Sequence, residues 1–388
     1  MRLRVGVLLF TATILTAAAA QARWYSVTIR VNAPASTPET AKVFIAGGDA
    51  SMGNWNPSEV GMTKEHGVQW VFRERYEPGT VLEFKVTLGS WAHQALYDGK
   101  TVPGNTVLTV RSDTTIELSP ESWGTSDAAG SGTVGSGGGV TGTVRYHRGL
   151  AGRGLNYARD LAVWLPPSYE KEKSRRYPVL YMHDGQNVFD PATSFIGADW
   201  RADEVADSLI RAGSIEEIII VGIGNTPDRV PEYSETPLGR AYGDFVVQTV
   251  KPMIDSLYRT KSDRNNTAVM GSSMGGLVSF LFAWEYPEVF SMAGCLSPAF
   301  LVDSNRVLSE VQAYTGPKKP VHVYLDDGGV GLDARLKPGY DSMIRLLEEK
   351  GFMKGKDLEY QFEPSAEHNE HAWAARLWRP LVYMFGRK

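Results

Sequence analysis

A chain of 388 residues is too long for one ordinary single-core domain, so two domains, or one with a sizeable appendage, are expected. Its composition, 43% hydrophobic and 22% charged, is that of a globular protein, and a net charge of -4 gives no concentrated basic face for nucleic acid. The single cysteine, Cys295, excludes an intramolecular disulfide and a cysteine-based zinc site, so stability must come from a large core.

The chain opens MRLRVGVLLFTATILTAAAAQA, in which Arg2 and Arg4 precede an apolar run from Val5 to about Ala17. Ala20 and Ala22 then stand as an A-x-A cleavage site. This is the layout of a secretory signal over residues 1–22, which predicts a periplasmic or extracellular protein with no membrane association after cleavage. The competing reading, a membrane anchor, is disfavoured because the run is shorter than the ~20 residues a spanning helix needs.

From Trp24 to about Leu118, short alternating runs recur: WYSVTIRV, AKVFIAG, VQWVFRERY, VLEFKVTLG, NTVLTV and TTIEL. Turn clusters such as EPGT and VPGN separate them, so residues 24–118 are predicted to form a small all-β sandwich. Residues 119–142, dense in glycine and serine, are poor in the large apolar side chains that could offset ordering entropy. They read as a linker.

From Thr143 onward the pattern changes. Apolar runs (YPVLYMHDG, EEIIIVGIGN, NTAVMGSS, FSMAGCLSP, PVHVYLDDG) alternate with helical stretches such as RADEVADSLIRAG, GDFVVQTVKPMIDSLYR, GGLVSFLFAWEYP and GYDSMIRLLEEKG. Residues 143–388 are therefore predicted to form an α/β domain with a mostly parallel sheet covered by helices on both faces.

Within that domain, Gly271-Ser272-Ser273-Met274-Gly275 lies between the strand NTAVM and a helix, where a nucleophile elbow belongs. The bare pattern is common by chance; its strand–turn–helix setting gives it meaning. Ser272 is the competitor, but Ser273 alone has glycines at both minus two and plus two. A serine nucleophile needs a base, usually histidine. Of seven histidines, His66 and His93 lie in the N-terminal module, His147 just after the linker and His322 inside a strand. In α/β hydrolases the base follows the last strand, and DLEYQFEPSAEHNEHAW offers His368, with His371 as the alternative.

The acid should follow VHVYL, where Asp326, Asp327 and Asp333 compete. Asp333 suits best because its side chain would lie on the loop, with Asp327 second and Asp326 read as a strand terminator. After the strand YPVLYM comes His183-Asp184-Gly185-Gln186-Asn187. Gly185, or else Gln186, would supply one oxyanion-binding backbone N–H, and Met274 the other. Reading His183 and Asp184 as metal ligands would require further ligands that no spacing pattern supplies, so no metal is expected there.

With HDGQNVFD, GSSMGG and AEHNEHAW quoted together, the chain from about residue 143 to its end resembles the putative-esterase family of α/β hydrolases. Its relatives include enterobactin esterase, feruloyl and acetylxylan esterases and esterase D. The resemblance extends through ARDLAVWLPPSY, ADWRADEVADSLI and IIIVGIGNTPDRVPEY. It implies ester hydrolysis without metal or cofactor, the nucleophile at Ser273 and the base at His368. The loop DDGGVGLD is longer than the corresponding turn of feruloyl esterases, which leaves the acid least secure. The N-terminal module resembles starch-binding-type carbohydrate-binding modules at AKVFIAGGDASMGNWNPSE and VLEFKVTLGSW. That implies a sugar-stacking platform of Trp55 and Trp91, against the alternative that Trp55 is a core residue and the carbohydrate-binding surface is lost.

Three functions follow. The leading one is hydrolysis of an acyl ester on a carbohydrate or similar natural product, the N-terminal module being able to hold polysaccharide. A siderophore trilactone is the second, with Arg201, Arg229 and Arg240 as cations for an anionic substrate. The third is a glycan-binding protein with an inactive hydrolase fold.

Overall fold

The computed structural model describes residues 24–53, 57–90, 93–97, 106–124, 140–302 and 306–387. The expected leader at 1–22, both Trp55 and Trp91, and residues 125–139 of the expected linker lie outside the described residues.

The N-terminal strands are β1 (Tyr25–Asn32), β2 (Phe44–Gly47), β3 (Val60–Gly61), β4 (Thr63–His66), β5 (Gln69–Tyr76), β6 (Val81–Thr87), β7 (Ala95–Leu96), β8 (Thr106–Thr109), β9 (Thr114–Leu118) and β10 (Ser122–Trp123). Alternation along β1 sends Val27, Ile29 and Val31 to one fully buried face. Two four-stranded sheets result, ordered β4-β5-β1-β9 and β3-β2-β6-β8. Trp70, Phe72, Phe84 and Trp123 help to fill the core between them. Trp123 falls in the span expected as linker, yet β10 pairs with β7 and the indole Nε1 donates to Thr37 Oγ1 at 2.8 Å. The packed unit thus continues past residue 118, held by one large side chain in a run otherwise poor in them.

The second unit contains β11 (Thr143–Leu150), β12 (Arg159–Leu165), β13 (Val179–His183), β14 (Ile219–Ile223), β15 (Thr267–Ser272), β16 (Met292–Leu296), β17 (His322–Gly328) and β18 (Leu358–Glu363). They form one sheet, ordered β11-β12-β14-β13-β15-β16-β17-β18. From β14 to β18 every pairing is parallel, whereas β12 runs antiparallel to both neighbours. The central strands are apolar throughout because successive residues feed opposite layers. Val179 and Tyr181 enter one core, Leu180 and Met182 the other.

The helices are α1 (Ala202–Arg211), α2 (Arg229–Glu232), α3 (Pro237–Phe245), α4 (Lys251–Leu257), α5 (Met274–Glu285), α6 (Arg306–Ala313), α7 (Leu332–Glu349), α8 (Glu370–Arg376) and α9 (Trp378–Phe385). Side chains of α1 and α9 cover one face of the sheet, and those of α3, α5, α6 and α7 the other. All of α5 except its last residue is buried, so this helix is apolar on every side. The stretch expected as one helix over GDFVVQTVKPMIDSLYR is α3 and α4 joined by a wider turn at Val246–Val250, just before Pro252, which has no amide to donate. Among the described residues no helix is long and apolar enough to cross a membrane.

A buried ion pair fastens α2 to the sheet. Arg159 on β12 donates to both carboxylate oxygens of Glu232, at 2.7 and 3.0 Å, with both side chains fully buried. The Tyr242 and Phe245 rings lie 4.9 and 5.3 Å from the guanidinium, and Thr226 Oγ1 donates to Glu232. Removing one partner strands the other charge in a dry interior. Arg159→Met is therefore expected to lower unfolding free energy by about 3–5 kcal/mol, and an Arg159→Met/Glu232→Leu pair by distinctly less. Urea titrations of the three proteins provide the comparison.

Candidate active site

Ser273 is the single residue between β15 and α5, and its backbone sits at φ 56°, ψ -123°. Such a conformation in a non-glycine residue costs on the order of 1–3 kcal/mol and persists only where neighbours enforce it. Ser273 N donates to Leu296 O at 3.0 Å, and Ser273 O accepts from Leu277 N at 3.1 Å and Ala299 N at 3.0 Å. The flanking glycines are needed for space. A Cβ on Gly271 would come 2.7 Å from Gly275 backbone, and one on Gly276 would sit 3.1 Å from Leu296 O. Ser273 is half-buried, whereas Ser272 is buried within β15. The amide of Met274 is the first of α5 and has no carbonyl a turn earlier to bind, so the helix N-terminus presents it to an anion.

Gly185 begins a short 3-10 turn, Gly185–Asn187, directly after β13. Asn187 N and Val188 N donate back to Asp184 O and Gly185 O, which leaves the amides of Gly185 and Gln186 as the turn's unengaged leading donors. Gly185 lies against the backbone of Gly222 and Ile223, where any side chain would collide. Asp184 also has a left-handed backbone, φ 57°. Its carboxylate is gripped at both oxygens by Arg229, at 2.7 Å each, and receives Asn225 Nδ2 at 2.6 Å. Burial works against that charge, but the guanidinium prevails and holds the carboxyl below its usual range.

His368 follows β18, and its Nδ1 is 2.5 Å from Oδ1 of the fully buried Asp333. The imidazole stands edge-on to the Trp373 ring, centroids 5.0 Å apart. Of the three competing aspartates, Asp333 is the one brought to His368. It lies in the first turn of α7, which starts earlier than the stretch GYDSMIRLLEEKG suggested and runs through Pro338. Pro338-Gly339 looks like a helix stop; burial of Leu336, Tyr340, Met343 and Leu347 outweighs the ~3 kcal/mol cost of an interior proline. Asp326, expected only to end the strand, accepts from Arg376 Nε at 3.1 Å and Tyr324 Oη at 3.2 Å. Asp327 accepts Gly328 N at 3.0 Å, and its Oδ2 has no partner. His371 is exposed on α8.

As metal ligands His183 and Asp184 are poorly placed. Asp184 is spent on Arg229, and His183 Nδ1 hydrogen-bonds Tyr242 Oη at 2.8 Å. Burial pushes the His183 imidazole down to about 3, so it is neutral. Two carboxylate groups, Asp199/Asp203/Glu204 and Glu235/Glu285/Glu310, bring oxygens within 4.8 Å, but neither includes His183, Asp184 or His368. Of the arginines considered as substrate cations, Arg229 is engaged with Asp184 and Arg201 with Glu204, while Arg240 is exposed.

Several contributors carry no sequence pattern. Ser297 and Arg376 stand beside Asp333, Trp373 beside His368, and the Arg159–Glu232 pair under α2. Lys85, on β6 of the N-terminal unit, lies buried with its Nζ 5.2 Å from the Phe195 ring centre of the second unit and 2.8 Å from Gln94 Oε1. Burial lowers this ammonium to about 7. Phe195 N donates to Asn187 Oδ1 at 2.9 Å, so this contact adjoins the Gly185 turn.

Residues 153–383 match a sequence family described as "Putative esterase". The endo-1,4-beta-xylanase/feruloyl esterase of Xylanibacter ruminicola is 32% identical over 198 residues, which cover 49% of this chain and 25% of that protein. The match thus spans about a quarter of that relative. A solved ferulic acid esterase superposes with TM-score 0.52 at 23% identity over 63% of this chain and 98% of its own. Enterochelin esterase from Shigella flexneri gives 0.54 at 13% identity over 94% and 93%. These likenesses place the α/β-hydrolase fold, and the last takes in the N-terminal β unit as well.

Asp327 offers a check on the electrostatics of the sheet edge. Burial, and then the charge of Asp333, raise its carboxyl from 3.8 to about 8. The unfolded carboxyl ionises near 3.8 and the folded one near about 8, so the contribution of the proton is fully present below 3.8 and is lost progressively as pH rises to about 8. Asp327→Asn, which has no such proton to lose, should therefore gain on the parent in thermal melts as pH rises across that interval, and the gap should level off above it. A gap that does not widen with pH would contradict this.

Proposed function

The chain belongs to the esterase family matched over residues 153–383 and is a carboxylic-ester hydrolase; on that premise we propose that it works through an acyl-enzyme on Ser273. His368 is the general base, and Asp333 orients it. The observation that carries this reading is the 2.5 Å contact between His368 Nδ1 and Asp333 Oδ1. It fixes the tautomer so that Nε2, the opposite nitrogen, is left to take the hydroxyl proton.

Ser273 Oγ attacks the ester carbonyl carbon as its proton passes to His368 Nε2. The carbonyl oxygen becomes an anion, which the amides of Met274 and Gly185 receive; each such donor is worth about 3 kcal/mol in the transition state. Collapse of the intermediate breaks the bond to the alcohol oxygen, and the departing alcohol recovers the proton from imidazolium. Water then repeats the sequence on the acyl-enzyme, releasing the carboxylic acid and restoring Ser273. Asp333 stays ionised and stabilises each imidazolium.

The substrate we assign is an acyl ester on a carbohydrate or similar natural product, met outside the cytoplasm. Its supports are the leader-like first 22 residues, the β unit with its G-N-W loop, and the 32% identical feruloyl esterase relative. Trp55 and Trp91 are the side chains assigned to sugar stacking. A siderophore trilactone is the second reading, favoured by the correspondence to enterochelin esterase across both units.

Ser273→Ala is expected to lower kcat/KM on short p-nitrophenyl esters by about 10⁴-fold or more and to abolish labelling by a fluorophosphonate, with circular dichroism unchanged. Substantial turnover by that variant would refute the mechanism. On the parent enzyme, feruloylated or acetylated oligosaccharides should be cleaved far faster than ferric catecholate trilactones. The reverse ranking would install the second reading.

A further inference from the structure

We propose that Arg376 is a positioning residue that keeps the Asp333 carboxylate correctly aimed at His368, acting through Ser297; this rests on the assignment of Ser273, His368 and Asp333 above. Arg376 is at the end of α8, eight residues after His368, and is 2% exposed. Its Nη2 donates to Ser297 Oγ at 2.7 Å and lies 3.9 Å from Asp333 Oδ2, while its Nε donates to Asp326 Oδ1.

The direction of every hydrogen bond at Ser297 is forced. Guanidinium and indole nitrogens can only donate, and Ser297 Oγ receives Arg376 Nη2 and Trp373 Nε1, the latter at 3.0 Å. Both lone pairs of the hydroxyl are then occupied. Its one hydrogen is directed at the remaining neighbour, Asp333 Oδ2, at 2.9 Å. Asp333 Oδ2 must therefore accept, which fixes the carboxyl plane and leaves Oδ1 as the oxygen that faces His368 Nδ1. Ser297 is itself held with a left-handed backbone, φ 42°, its amide bound to Asp326 O at 2.8 Å.

The charges around Asp333 make a cation necessary. Asp326 and Asp327 come from β17, both essentially without solvent. Ser297 follows β16, and His368 and Trp373 approach from the loop before α8 and from α8 itself. Of the groups named, Arg376 is the one permanently positive. Burial raises Asp326 to about 6, with Arg376 opposing the rise. Without the guanidinium, three aspartates would share one dry edge with no cation among them, and Ser297 would lose the donor that directs its hydrogen to Asp333 Oδ2. A misaimed Asp333 is a poor partner for imidazolium, so proton transfer from Ser273 would slow.

The test uses the full chain. Arg376→Met strands buried charge, so Asp326→Asn/Arg376→Met, which removes the pair together, and Ser297→Ala, which breaks the relay without touching charge, are made beside it, with Arg376→Lys as the conservative variant. On a short p-nitrophenyl ester, the double variant should show kcat reduced about 10–100-fold and KM altered less than about twofold. Ser297→Ala should lose kcat about tenfold with KM again little changed, and Arg376→Lys should recover part of the loss. Fluorophosphonate labelling should slow in parallel. If the double variant or Ser297→Ala keeps the parental kcat and labelling rate, the proposal is overturned, whatever happens to stability. Loss of all turnover in Ser273→Ala with parental behaviour here would sink this inference alone; turnover surviving Ser273→Ala would sink the assignment beneath it.

Discussion

The backbone of Ser273 is held at a positive φ that an L-residue avoids, and the surroundings exist to hold it there. Leu296 and Ala299 bind it from the next strand and the turn beyond, Leu277 from the helix, and three glycines vacate the volume that the bend takes up. The gain is directional. A serine placed just past the end of a parallel strand, with a buried helix starting directly after it, stands at the sheet's carboxyl edge beside that helix's N-terminus. That edge is also where β13 delivers Gly185 and where the turns after β17 and β18 deliver Asp333 and His368.

Two buried polar assemblies flank this bend. On one side Arg159 holds Glu232 on α2, and Arg229 on the same helix holds Asp184, which precedes Gly185. On the other, Arg376 meets Asp326 and Ser297, and Ser297 meets Asp333. In each case a charged pair in a low-dielectric interior fixes a loop that hydrophobic packing alone would leave adjustable. Such pairs add little to net stability when their desolvation is counted. On the proposed mechanism their return is geometric, since oxyanion donors and a general base must hold position to fractions of an ångström.

Much of this was legible in the sequence wherever chemistry left a short-range signature. The five central parallel strands read as unbroken apolar runs, and Gly271-Ser272-Ser273-Met274-Gly275 reported a bend because glycine is the side chain that fits there. His368 stood out by its place after the last strand. What was not legible is long-range. Pro338-Gly339 hid the true start of α7, and with it the fact that Asp333 rides a helix. Trp123 was obscured by the glycine and serine that follow it. Ser297 and Arg376 belong to no motif, since their meaning comes from meeting 79 residues apart in sequence. Lys85 is the same case across two units: alternation along β6 marks its position as outward-facing, and only the fold shows Phe195 above it.

The short helix α8 has a bearing on how the molecule comes into being. It supplies Arg376 and Trp373, which bind Ser297, and its leading Glu370 accepts from Asn187 beside the Gly185 turn. During synthesis the earlier strands can collapse and shape the serine bend well before this segment leaves the ribosome. Until it docks, Asp333 faces neighbouring aspartates with neither its imidazole nor its relay in place. On the proposed mechanism, a chain whose α8 has yet to dock would hold the serine bend without the contacts that aim Asp333 at His368.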